Sequence, residues 1–196
     1  MDLPHDPFER FAALYAQARA AIPVDPNAMV VATVGPDGQP SARVVLLKEF
    51  DARGFVFYTN YESRKGEELL AHPKAALVLH WAPLERQVRI EGGVEPVSPE
   101  EADAYFQSRP RGSQVGAWAS AQSRPLKSRE ELEQRVEALT RQYEGKPIPR
   151  PPHWSGFRVV PRRIEFWHAR ASRLHERLVY ARDGVGSPWH TEMLNP

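Results

Sequence analysis

The sequence contains no cysteine. That excludes a disulfide framework, a thiolate zinc site, a cysteine nucleophile and a protein-ligated iron–sulfur cluster, so any redox chemistry has to come from a bound cofactor. No apolar run approaches the length of a membrane span. The opening residues Met1-Asp2-Leu3-Pro4-His5-Asp6 carry neither the basic nor the apolar part of a signal peptide, and the expected location is the cytoplasm. A large charge of one sign is missing too. The formal net charge is +1 and the arginines form no contiguous basic stripe, which speaks against a nucleic-acid module. There is no Gly-x-Gly-x-x-Gly turn and no loop ending in Gly-Lys-Ser/Thr, which disfavours a Rossmann dehydrogenase and a nucleotide hydrolase. The 7 histidines include no His-x-x-x-His pair, so no metal site is expected. Gly112-Ser113-Gln114-Val115-Gly116 is similar to a nucleophile elbow, but its serine is out of place.

Lysine is scarce as well: 21 Arg and 5 Lys make up the 26 basic residues. Arginine's planar fork suits bidentate capture of phosphate. An arginine-rich genome produces the same bias, so only the placement of particular arginines carries weight. A length of 196 residues, 41% of them hydrophobic, fits one domain over 1–196 with a real core. Within it, 1–24 reads as an N-terminal helical segment and 146–153 as a proline-rich connector.

Pro7–Ala21 carries Phe8, Phe11, Leu14 and Tyr15 at helical spacing. Strands are expected over Ala28–Val34 and Arg43–Phe50, on either side of the turn Gly35-Pro36-Asp37-Gly38, and over Gly54–Thr59. Ser63 can cap a short helix over Arg64–Ala71, followed by strands over Ala75–Trp81 and Gln87–Val97. Ser98-Pro99-Glu100-Glu101 and Ser128-Arg129-Glu130-Glu131 read as capping boxes. The first helix should run to about Arg109, stopped by Pro110, and the second to about Gly145. Strands are expected over Gly156–Val160, Arg163–His168 and Leu178–Arg182, with a last one near Trp189–Leu194 after the turn at Asp183-Gly184. Short strands without βαβ alternation predict a mainly β (α+β) fold, an antiparallel barrel with peripheral helices.

Polar and basic residues gather in four places. Arg43–Lys48 is apolar except at its ends, a pattern that also describes an edge strand guarded by cations. Tyr58-Thr59-Asn60 leads through Ser63-Arg64-Lys65 into a helix start, where free N–H groups, hydroxyls and two cations make either an anion pocket or a solvated cap. Tyr105 and Arg109 share a helix face, with Ser113 just past the helix end; a terminal Arg complementing the helix dipole has the same appearance. In Trp167–Arg177, an extended 173–177 segment points Arg173, His175 and Arg177 to one side, where they repel unless an anion lies between them. Two separate phosphate-type pockets beside aromatic residues follow from the spacing; the ligands do not.

Ile164-Glu165-Phe166-Trp167-His168 and, four residues on, Arg173-Leu174-His175-Glu176-Arg177 resemble the C-terminal signature of pyridoxamine 5′-phosphate oxidases. RVVLLK (43–48), FYTNYESRK (57–65), LERQV (84–88), YFQSRPRGSQVGAW (105–118) and Gln122-Ser123 resemble that family in the same order. The resemblance runs from about Asp25 to the C-terminus. It implies a split-barrel fold, a homodimer, and FMN held between the subunits. The FMN contacts it implies are Arg43, Val44, Val45, Leu46, Leu47, Lys48, Tyr58, Thr59, Arg64, Lys65, Gln87, Gln122, Ser123, Trp167 and Arg177. Lys48, Tyr105, Arg109 and Ser113 match the site for the substrate phosphate, and Arg173 and His175 match residues over the pyridine ring that orient and polarise it. Asp25 aligns with a position near the substrate.

The activity implied is oxidation of pyridoxine and pyridoxamine 5′-phosphates to pyridoxal 5′-phosphate, in vitamin B6 salvage. Hydride passes from C4′ to flavin N5, and oxygen becomes peroxide. Arg43 and Lys48 pose a difficulty: five apart, they point to opposite faces of a regular strand. The family often carries a basic N-terminal arm that the sequence given does not include, and Met193 stands where an arginine is common. Two alternatives stay open: another split-barrel flavoprotein such as a flavin or deazaflavin-dependent reductase, and a non-catalytic binder of FMN or pyridoxal phosphate. A reductase has no need of a second phosphate pocket.

Overall fold

Helix starts follow their capping chemistry. Asp6 caps α1 (Pro7–Ala21), accepting from Phe8 N at 2.8 Å with Pro7 in the first turn. Ser63 caps α2 (Arg64–Ala71) by accepting from Gly66 N. Ser98 and Glu101 close a reciprocal capping box on α3 (Pro99–Ser108). The computed structural model describes residues 6–196, so the first five residues of the expected N-terminal segment lie outside the described residues.

Pro110 stops α3, but it also starts a helix not expected from the sequence, α4 (Arg111–Ala119). Arg109, the residue before the proline, is forced extended (φ −73°, ψ 148°), and Pro110 O then accepts from Ser113 N and Gln114 N. The buried Gln114 amide donates back to the carbonyls of Phe106, Gln107 and Arg109 at 3.1–3.2 Å, satisfying the open end of α3. Ser113 therefore sits in the first turn of a helix, in a locked elbow. Ser128 caps α5 (Arg129–Gln142), but only half of the expected box forms, because the Glu131 carboxylate turns to Arg135 instead. Among the described residues no helix is long and apolar enough to cross a membrane.

The strands are β1 (Ala28–Val34), β2 (Pro40–Leu46), β3 (Glu49–Asp51), β4 (Gly54–Asn60), β5 (Lys74–Trp81), β6 (Arg86–Pro96), β7 (Trp154–His168), β8 (Glu176–Ala181) and β9 (His190–Leu194). They form one antiparallel sheet in the order β2-β1-β5-β6-β7-β4-β3, with β8 beside the second half of β7 and β9 beside β8. This is the mainly β split barrel with peripheral helices that the sequence predicts.

Most strand ends shift by one to three residues from expectation, and two strands differ in kind. Arg43–Phe50 is not one strand: Leu47 N donates to Asn27 O and Lys48 N to Val56 O, so pairing passes from the β1 side to β4 across these two residues. Conversely, Gly156–Val160 and Arg163–His168 are parts of one 15-residue strand, β7. Glu91 faces Arg163 while Gly92 faces Pro161, leaving Arg162 as the extra residue of a bulge, the place in a sheet where a proline is tolerated. Gly92 is obligatory there, since a Cβ would lie 2.0 Å from Val160 O.

Cross-strand rows Val88–Phe166–Leu178 and Ile90–Ile164–Tyr180 face the main core, which α1 closes with Phe8 and Phe11. A second core holds Phe106, Val115, Ile148 and Trp154, and seats α3–α5 against the start of β7.

Candidate active site

A cavity of about 920 Å³ opens between β2, β4, the start of α2 and the α3–α4 elbow. It is lined by Arg43, Val44, Val45, Leu46, Lys48, Tyr58, Thr59, Arg64, Lys65, Tyr105, Arg109, Ser113, Gln122 and Ser123, fourteen of the residues singled out above. Leu47 is the exception in its stretch: it is 2% exposed and belongs to the main core. The Arg43–Lys48 difficulty is resolved by the break at Leu47. Alternation restarts after β2, and both cations line the same cavity.

One group gathers where β4 runs into α2. Lys65 Nζ donates to Thr59 Oγ1 (3.0 Å), Ser63 Oγ (3.3 Å) and Gln122 Oε1 (3.0 Å). Burial, and then the neighbouring Arg43 charge, pull its ammonium down to about 8. Arg43 donates to Thr33 Oγ1 and Ser41 Oγ at 2.5 Å each. Arg43 and Arg64 both meet Glu68, a buried carboxylate. Burial would raise Glu68, but hydrogen bonds from Thr33, Ser41, Arg64 and Arg43 bring it down to about 2.

The second group is aromatic and cationic. Tyr58 and Tyr105 stack with centroids 3.9 Å apart, and Trp154 lies parallel to Tyr58 at 5.5 Å. Arg109 Cζ sits 4.6 Å from the Trp154 centroid, and Lys48 Nζ 5.9 Å from that of Tyr105. Arg109 Nη1 is buried with no hydrogen-bond partner, and burial lowers the pKa of the guanidinium. Burial also raises the Tyr58 hydroxyl, helped by Glu49.

The remaining candidates lie elsewhere on the same chain. Gln87, Trp167 and Arg177 are register partners across β6, β7 and β8, on the face turned away from the main core. Arg173 is not in an extended segment. Ala171–Arg173 is a 3₁₀ turn in which Ser172 (φ 57°) and Arg173 (φ 62°) are left-handed, so the expected row of Arg173, His175 and Arg177 does not form. Nor does Arg177 need an external anion, since Glu165 takes it in a bidentate pair at 2.8 and 3.0 Å. His175 packs on Trp167 at 4.6 Å and accepts from Arg170 N. Asp25 is exposed in the turn before β1 (φ 47°), outside the cavity lining. Among the described residues no group of three or more His, Asp or Glu converges to hold a metal.

Glu68 and Trp154 were not anticipated. The Arg64/Glu68 spacing of four on a short helix was a readable signal for the first. Trp154 carried none, because it is brought to Arg109 by tertiary packing alone.

A family model described as pyridoxamine 5′-phosphate oxidase matches residues 14–143. A second, described as the pyridoxine 5′-phosphate oxidase C-terminal dimerisation region, matches 154–196. A pyridoxine/pyridoxamine 5′-phosphate oxidase of Myxococcus xanthus is 69% identical over 194 residues, covering 99% of this chain and 93% of the relative. One of Rubrobacter xylanophilus is 58% identical, covering 97% and 87%. Among solved structures, PhzG of Burkholderia lata in complex with tetrahydrophenazine-1-carboxylic acid superposes with a TM-score of 0.93 at 36% identity, covering 100% of this chain and 95% of that one. An FMN-binding protein of Nostoc punctiforme shares the fold (TM-score 0.78, 19% identity, covering 97% and 98%).

Proposed function

Because this chain belongs to the pyridoxamine 5′-phosphate oxidase family, we propose that it oxidises pyridoxine and pyridoxamine 5′-phosphates to pyridoxal 5′-phosphate, using FMN and oxygen. One observation carries the reading: a single cavity is lined by two cation clusters on different elements, Arg43, Arg64 and Lys65 at the start of α2, which together outnumber their one carboxylate, Glu68, and Lys48 with Arg109 at the α3–α4 elbow. At the start of α2 the Lys65 ammonium is bonded to hydroxyl and amide oxygens, and a flavin phosphate supplies the charge it needs. At the α3–α4 elbow the orphaned Arg109 Nη1, with Lys48, Tyr105 and Ser113, suits the phosphate of the substrate. The donor set therefore fits two phosphorylated ligands side by side.

FMN, when bound, supplies the hydride acceptor for the substrate's C4′ carbon and delivers the electrons to oxygen, giving hydrogen peroxide. The protein's part is to fix that carbon by its distant phosphate and to exclude competing geometries. Val44, Val45 and Leu46 supply apolar wall, while Tyr58, Thr59, Gln122 and Ser123 supply polar contacts for the flavin.

We assign Gln87, Trp167, Arg173, His175 and Arg177 to the cavity of a second copy in a homodimer, where Arg173 and His175 orient and polarise the substrate ring. Trp154 lines the cavity at the start of β7 and Trp167 lies near the end of that 15-residue strand, up to about 40 Å along its path at ~3.3 Å per residue. A cavity needing both takes them from two chains, in keeping with the dimerisation region matched at 154–196.

The likeness to PhzG favours one other substrate class, a polycyclic carboxylic acid held at the same cations. Aerobic turnover of pyridoxine 5′-phosphate with added FMN, following pyridoxal phosphate and peroxide together, decides between them. Equal catalytic yields of both establish the B6 oxidase. An FMN-loaded dimer that forms neither sinks it and moves the activity to the carboxylic-acid class or to a binder.

A further inference from the structure

Glu68 lines no part of the cavity, yet it is the residue on which two of the cavity's arginines converge. It lies on α2 one turn after Arg64, with its carboxylate 5% exposed beneath β1 and β2. Its Oε1 accepts from Arg64 Nε at 2.9 Å. Its Oε2 accepts from Thr33 Oγ1 (2.5 Å), Ser41 Oγ (2.7 Å) and Arg43 Nη2 (3.3 Å). The two hydroxyls are themselves acceptors for Arg43: Nη1 reaches Thr33 Oγ1 and Nη2 reaches Ser41 Oγ. One buried anion thus ties β1 (Thr33), β2 (Ser41, Arg43) and α2 (Arg64) into a single hydrogen-bonded cluster.

A buried carboxylate is costly unless fully paired, and two of the four side chains that pair this one, Arg43 and Arg64, belong to the cavity wall. The geometry divides Arg64's donors in a useful way. Glu68 holds Nε, so the fork's two terminal nitrogens are not spent on the pair, and the plane of the guanidinium is set before any ligand arrives. Arg43 is gripped more completely, by two hydroxyls, the carboxylate and the carbonyl of Val31. Lys65, next in the chain to Arg64, lies close enough to Glu68 to feel its charge. Hydrogen bonding keeps Glu68 ionised throughout the physiological range, so its grip does not lapse with pH.

Resting on the reading of this cavity as an FMN site, we propose that Glu68 is a positioning residue for the flavin phosphate. It touches no ligand. It orients Arg64 and Arg43 from behind, so that a phosphate meets a pre-set pair of forks and does not have to order two flexible side chains itself. A structural role in joining α2 to the sheet would support every ligand of the cavity alike. A positioning role acts on the phosphate alone, and this difference is measurable.

The test is a fluorescence titration of flavin-free dimer with FMN and with riboflavin, which has the same ring but no phosphate. Glu68→Gln keeps the volume of the side chain, but its amide nitrogen must face one arginine donor or the other, so one fork loses its acceptor. Glu68→Gln is expected to weaken FMN binding on the order of tenfold, as outer-shell partners of bound groups do, and to leave riboflavin binding unchanged. Combined with Arg64→Ala it should cost less than the sum of the two single changes. Ser41→Ala, which loosens the same cluster without removing its charge, is expected to show the same selectivity at smaller size. It carries the test should Glu68→Gln not fold. Equal losses for FMN and riboflavin, or unchanged FMN affinity in both variants, overturn the proposal. An unaltered protein that binds riboflavin but gains nothing from the phosphate of FMN overturns the cofactor reading beneath it.

Discussion

Arg109 sits over the Trp154 ring, its Cζ 4.6 Å from the centroid, although the two come from the end of α3 and the start of β7. The contact leaves Nη1 buried and unbonded, a cation held ready by a ring and by no carboxylate. A carboxylate there would compete with an incoming phosphate, whereas the face of an indole does not.

Trp154→Leu should therefore weaken capture of the phosphorylated substrate. Loss of a cation–π contact of about 1 kcal/mol corresponds to roughly a fivefold rise in KM with kcat little changed. Steady-state kinetics at fixed FMN measure this, and an unchanged KM would refute the role given to Trp154.

Lys65 predicts how FMN binding depends on pH. Burial lowers its pKa to about 8, and an anion is bound better by the charged form, so affinity should be constant up to about pH 8 and fall above it. Below about pH 6 the phosphate begins to lose its second charge. Lys65→Met should bind more weakly and flatten the alkaline limb. A limb that persists unchanged in that variant assigns the titration to another group.

Arg158 predicts acid sensitivity of the fold. It is 3% exposed on β7 and reaches Glu101 at 2.9 Å, Asp51 at 3.3 Å and Glu95 at 3.9 Å. Burial would raise Asp51 and Glu101, but both are held low. Asp51 is lowered by Arg53 and Arg158; Glu101 is lowered by the Ser98 N–H and by the same two arginines. Because the folded-state pKa values are depressed, their stabilisation is present above the ordinary carboxylate range and is lost as pH falls through it. Thermal midpoints should drop below about pH 4. Arg158→Met should cost about 3 kcal/mol at pH 7, near the low end for breaking a buried pair, because the carboxylates left behind are partly solvated. A midpoint independent of pH between 3 and 6, roughly the range over which carboxylates titrate, would contradict this account.

The assignment of Arg173 and His175 to the neighbouring subunit has a complementation test. Arg173→Ala should abolish most turnover yet keep FMN bound, and Arg64→Ala should lose FMN. Mixed dimers refolded from the two inactive variants should regain on the order of a quarter of normal activity, since half of the dimers hold one intact site. No recovery means that each site is built from a single chain.

Much of this was legible from residue order. The bounds of α1, β1 and α2 follow from apolar spacing, β-branched runs and the cap Ser63. Illegible features share one cause, an outcome decided by a partner remote in sequence. Pro110 reads as a stop, and whether a helix restarts after it depends on Gln114 finding the carbonyls of α3. Pro161 reads as a strand end, and only the bulge opposite Gly92 lets β7 continue. Arg177 reads as an unmatched cation until Glu165 is seen two residues along from its register partner Trp167. Within the site, residue types chosen for phosphate chemistry stood out, while Glu68 and Trp154, which act on those residues from behind, did not.

The length of β7 has a further consequence for the homodimer. On the assignment proposed above, a strand that begins in one cavity and ends in the neighbour's makes each protomer a half-owner of two sites, with no complete site when alone. Dilution then acts on the cofactor as well as on the subunits. FMN should be retained only as far as the dimer is, and by mass action added FMN should draw monomers together, so that cofactor supply and subunit association become one equilibrium.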